Sequence, residues 1–105
     1  MKIFASCDLP CHFKINGEYL GVIDKNLITF EVESSSLLFE ALPLNDGFLP
    51  CYSGITGSRS IKVFKVDNGY LVYPVLRKSY FAGFKMIGQR RRKKAVRHHL
   101  KTLKR

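Results

Sequence analysis

Between Lys2 and Leu76 several short stretches alternate apolar and polar residues with a period of two, the pattern of half-buried β-strands. Ile3 and Ala5 share one face of a strand over residues 2–6, with Phe4 on the other. Asp8-Leu9-Pro10 breaks it. Cys11, Phe13 and Ile15 then alternate with His12, Lys14 and Asn16. Asn16-Gly17 predicts a two-residue hairpin turn of type I′, because that turn needs positive φ at both central residues. The return strand covers 19–23, and Gly21 inside it marks a candidate bulge. After a turn at Asp24-Lys25-Asn26, Ile28, Phe30 and Val32 alternate with Thr29, Glu31 and Glu33. Residues 37–42 are nearly all apolar, which suits a central strand or a helical turn, and Pro43 ends the run.

Residues 45–60 hold Gly47, Pro50, Gly54, Gly57 and four Ser or Thr, a loop composition. Phe48, Leu49, Tyr52 and Ile55 are expected to pin that loop to the body. A second hairpin is predicted from 61–66 and 70–76 around Asp67-Asn68-Gly69, with a three-residue loop ending on glycine. Pro74 has no N–H to donate, which predicts an edge position for the second strand. Residues 79–84 add one more strand.

From Gln89 the pattern changes. Val96, Leu100 and Leu103 recur at i, i+4 and i+7, a thin helical stripe among cations. No acid relieves the repulsion between like charges four residues apart, so the isolated segment is expected to be a frayed helix or disordered. The fold class is therefore all-β: a small antiparallel β-sandwich or partly open barrel over 1–84, with a basic arm over 85–105. The predicted core is Ile3, Phe13, Ile15, Leu20, Ile28, Phe30, Val32, Phe39, Val63 and Val72.

Length and composition suit one domain: 105 residues, 46% hydrophobic. Charge changes the picture more. Lys and Arg total 18 against 8 acids, but residues 1–84 hold all 8 acids and eight of the cations. The net charge of +10 thus comes from Lys85, Arg90, Arg91, Arg92, Lys93, Lys94, Arg97, Lys101, Lys104 and Arg105. No apolar run is long enough to span a membrane. Phe4-Ala5-Ser6-Cys7 has only Ile3-Phe4-Ala5 as an apolar stretch, too short for a signal peptide, and a cytoplasmic location is expected. Three cysteines, an odd count, argue against a disulfide framework.

Pro10, the alternating Phe13 and Ile15, the Asn16-Gly17-Glu18-Tyr19-Leu20-Gly21 turn and return, and the amphipathic strand at 28–32 together resemble a PEGA-type domain over residues 7–44. Pro10-Cys11-His12-Phe13 stands where that family has Pro-Glu-Gly-Ala, and Val22-Ile23 stands where it has Thr-Pro. The resemblance implies a small β-sandwich-like module of bacterial and archaeal proteins, with a binding or structural role and no catalytic residues.

Candidate chemistry is sparse. Cys7-x3-Cys11-His12 with Cys51 offers four potential zinc ligands, although Cys11 shares a face with Phe13 and Ile15 while His12 points away. His98 and His99 diverge by about 100° on a helix and do not converge on one ligand. His12 has no carboxylate nearby in sequence to orient it. No glycine pattern matches a phosphate-binding loop. The residues therefore predict no catalytic site and no cofactor. Tyr19, Tyr52, Tyr70, Tyr73 and Tyr80 are candidates for a sugar-binding face, and the edge near Pro74 for pairing with a protein partner's strand.

The ten cations after residue 84 carry the sharpest expectation. They suit salt-sensitive, sequence-independent binding to the phosphates of DNA or RNA. The leading reading is a non-catalytic β binding or structural module of unidentified ligand. The alternative is a nucleic-acid-associated protein that gains its affinity from the arm.

Overall fold

The turn at Asn16-Gly17 forms with φ of 52° and 82°, both in the left-handed region. The computed structural model describes the backbone of residues 1–80, 83–86 and 89–103, and the side chains of 1–78 and 93–103. The turn joins β2 (Cys11–Ile15) to β3 (Glu18–Ile23). Its asparagine also holds a neighbouring loop: Asn16 Nδ2 donates to Ser36 O at 3.0 Å, and Leu38 N donates to Asn16 Oδ1 at 2.8 Å. Along the hairpin, Phe13 faces Gly21 but Lys14 faces Tyr19, so Leu20 is the extra residue of a bulge. Gly21, at φ 110°, supplies the backbone that the bulge needs.

The other elements are β1 (Lys2–Ala5), β4 (Ile28–Glu31), β5 (Phe39–Pro43), β6 (Cys51–Ser53), β7 (Ile61–Val66), β8 (Gly69–Pro74), β9 (Arg77–Tyr80), β10 (Gly83–Met86) and α1 (Gln89–Leu103). Two four-stranded sheets run β4-β1-β8-β7 and β3-β2-β5-β6, and β9 and β10 pair as a separate hairpin. The first sheet is mixed, because β1 pairs parallel with β8 and antiparallel with β4. The described strands form a sandwich-like, mostly β structure, in line with the all-β expectation, and they do not make a closed barrel.

Between the sheets lies the larger core. Ile3, Ala5 and Val72 come from the first sheet; Phe13, Ile15, Phe39 and Ala41 come from the second. The rings of Phe13 and Phe30 stack across the gap at 5.6 Å between centroids. Of the predicted core, Ile3, Phe13, Ile15, Phe39 and Val72 are buried. Leu20, Ile28, Phe30, Val32 and Val63 are half-buried against it, at the margins of the layer.

Several expectations require correction. Residues 51–53 form a strand inside the predicted loop. Its partner is β5, and side chains beyond it tie the chain back: Tyr52 N donates to Ser60 Oγ at 2.8 Å, and Ser60 Oγ donates to Tyr52 O at 2.9 Å. Where one strand was predicted over 79–84, two are present. The predicted edge strand β8 is central, between β1 and β7, and Pro74 is fully buried. The proline is tolerated because it lies past the last paired residue of β1. Ser6 N donates to Val72 O at 3.3 Å, and the parallel ladder ends there, where no N–H from residue 74 is needed. No sheet edge is therefore available at Pro74 for a partner strand.

The loop of the second hairpin also differs. Val66 pairs with Gly69, leaving two residues rather than three, and Gly69 has no positive φ. The glycine is required by proximity instead. It pairs with Lys2, and a Cβ there would run into the Lys2 carbonyl oxygen.

Candidate functional site

Strands β7 and β8 are apolar on both faces. Val72 points into the sandwich, while Leu71 and Tyr73 point to the outer side and are nonetheless buried. A sheet with two apolar faces must be covered on both. Helix α1 covers the second. Val96 is 8% exposed among Val66, Leu71 and Tyr73, with Phe4, Phe64, Ala95, Leu100 and Leu103 around them. The i, i+4, i+7 stripe is the docking face. Tyr73 marks its end: its hydroxyl donates to Asp8 Oδ1 at 2.7 Å, and its ring lies 6.5 Å from that of His99. Burial, and then the neighbouring His98, hold His99 below the ordinary imidazole value.

Docking leaves a groove of about 840 Å³ between α1 and β7. Phe64, Val96 and Leu100 form its apolar floor. Lys93, Arg97 and Lys101 line the helix side and Lys62 the strand side. All four cations are exposed. Lys93, Arg97 and Lys101 fall at i, i+4 and i+8, so they stand about 6 Å apart along the axis. Among the described residues no carboxylate lines this groove. A smaller cavity of about 430 Å³ has the opposite character, with Glu18, Glu31 and Glu33 around Leu20, Phe30 and Val32. It lies between β3 and β4, the outer strands of the two sheets.

The predicted cationic residues are therefore dispersed. Lys93, Arg97 and Lys101 share the groove, and Lys94 is exposed on the same helix. The backbone of Lys85 lies in β10, and Arg90, Arg91 and Arg92 lie in α1. Lys104 and Arg105 lie outside the described residues. Lys62 and Phe64 escaped the sequence reading. The signal for them was the second apolar face of the hairpin: Phe64, Val66, Leu71 and Tyr73 alternate opposite Val63 and Val72.

Cys7, Cys11 and Cys51 are fully buried in the layer between the sheets. The sulfurs of Cys7 and Cys11 approach to 3.4 Å, and Cys51 Sγ lies 3.7 Å from both Leu49 O and Val75 O. The sulfur–sulfur contact with Cys11 holds Cys7 below the ordinary thiol value. The same contact and then burial push Cys11 far above it, and burial pushes Cys51 up to about 11. His12 is not part of this group. Its Nδ1 lies 2.8 Å from the Tyr19 hydroxyl on the outer face of β2 and β3. Among the described residues no group of three or more His, Cys, Asp or Glu side chains is placed to hold a metal ion. The tyrosines do not form one platform: Tyr73 is buried under α1, while Tyr19 and Tyr52 are exposed on different strands, and the Tyr80 side chain lies outside the described residues.

No family model matches the chain, and no solved structure matches it significantly. A stretch of 39 residues, 37% of the chain, is 51% identical to part of the F-box/WD repeat-containing protein 15 of Mus musculus. The match covers 8% of that protein's length. Among the described residues no helix is long and apolar enough to cross a membrane.

Proposed function

We propose that the protein is a non-catalytic binding module that engages an acidic partner through the groove between α1 and β7. The observation that carries this reading is the lining of the groove: among the described residues every charged side chain on it is a cation, and all of them reach solvent. Charged rims of one sign attract partners of the other sign and raise the rate of encounter. The chemistry of the remaining candidates supports a non-catalytic role. The three thiols are shut inside the sandwich, two of them with raised pKa, and His12 is engaged by a tyrosine hydroxyl. The PEGA-like reading of residues 7–44 belongs to the same proposal, and the turn at Asn16-Gly17 with its bulged return strand supports it.

One observation favours a second reading, binding to the phosphates of DNA or RNA. After residue 84 the chain has ten cations and no acid, a density suited to counterion release. Both readings are tested together by titrating the full chain with polyglutamate and with a generic DNA duplex at increasing salt. The triple variant Lys93→Glu, Arg97→Glu, Lys101→Glu is expected to lose about 10- to 100-fold in affinity for either polymer. Unchanged affinity in that variant would remove the groove from the binding surface.

A further inference from the structure

We infer that the groove receives an acidic amphipathic α-helix of a partner protein. The inference deepens the acidic-partner reading and rests on it. Two features of the groove select this occupant from other anions. The first is the repeat of its cations. Lys93, Arg97 and Lys101 project every fourth residue from one helix, and carboxylates at i, i+4 and i+8 of a second helix have the same rise of about 6 Å. A partner lying along α1 can therefore match all three charges in register.

The second feature is the floor. Phe64, Val96 and Leu100 offer apolar surface beside the charges. From Lys93 to Lys101 the groove runs about 12 Å, two helical turns, enough for apolar anchors at i, i+3 or i+4, and i+7. A phosphate chain would use the cations and leave this floor unused. Phe64 is the single aromatic ring on the described lining, too few for a stacking platform.

The helix itself gains from such a partner. Residues 89–103 contain no acid, and none sits in the first turn of α1 to complement the helix dipole. Partner carboxylates would offset the repulsion along Lys93, Arg97 and Lys101, so binding and helix order reinforce each other.

The test uses the full chain and three fluorescent probes of equal charge. One is a helical peptide with Glu at i, i+4 and i+8 and Leu on the adjacent face. The second is the same composition scrambled, and the third is a single-stranded oligonucleotide. The ordered peptide is expected to bind about tenfold or more tighter than the scrambled one. Leu100→Gln and, on the opposite wall, Phe64→Gln should each reduce that ratio while the scrambled peptide keeps its affinity. Equal affinity for the two peptides overturns the inference and leaves the acidic-partner reading standing. Tighter binding of the oligonucleotide overturns it in favour of phosphate. Absence of binding by all three at low salt overturns both.

Discussion

The first sheet has two buried faces, and they are built differently. Its inner face meets the second sheet across Ile3, Ala5, Val72 and Phe13, all wholly enclosed, with Phe30 half-buried at the margin and stacked on Phe13. Its outer face meets a single helix. There, among the described side chains of α1, Val96 is the one that is buried, while Ala95, Leu100 and Leu103 stay half-exposed beside a rim of cations. Enclosed apolar layers supply stability, whereas an incompletely covered apolar surface with a charged border is a place to bind. The inner layer thus specifies the fold, and the outer one is the surface that the proposed acidic partner would use. All three thiols belong to the inner layer.

Three changes would break or sharpen this comparison. The largest effect is expected in the inner layer. Phe13→Ala removes a ring that stacks on both Phe30 and Phe39, and should cost about 3–5 kcal/mol in urea unfolding. A cost under about 1 kcal/mol would mean that the sheets do not enclose this ring.

Next comes Val96→Asp, which places an unpaired charge on the buried side of α1. About 1–3 kcal/mol should be lost, seen as a fall in helical circular dichroism. The aromatic near-ultraviolet signal of the inner layer should persist. Joint loss of both signals would show that the two layers fold as one unit.

The smallest effect concerns pH. His99 has a folded pKa below its ordinary value of 6.5, so the unfolded chain binds this proton first. The helix contact is at full strength above about 6.5 and weakens as pH falls through that value toward the folded pKa. Replacing His99→Gln should flatten the fall in stability between about pH 7 and pH 5. An unchanged slope would show that the His99 contact does not carry the pH dependence.

Much of the inner layer was legible in the residues, because its rules are local. Cys11, Phe13 and Ile15 alternate with polar neighbours, Asn16-Gly17 admits positive φ twice, and Gly21 accepts a bulge. The candidate site was legible by halves. The cations of α1 and the stripe at Val96, Leu100 and Leu103 were visible, but Lys62 and Phe64 were not, since they lie some thirty residues earlier and join the site only by packing.

Alternation and turn chemistry alone determined the first two strands, which way their side chains face and how the first hairpin closes. Those properties depend on dihedral preferences of a few adjacent residues. Tertiary structure decided the rest. It made β8 central by pairing it with β1, found a partner for residues 51–53, and placed a glycine against the backbone of Lys2. It also laid a helix of self-repelling cations on the outer face of a sheet, because burying Leu71 and Tyr73 there outweighs that repulsion. Contacts of this kind join residues far apart in the chain, and no short window of residues contains the free energy that selects them.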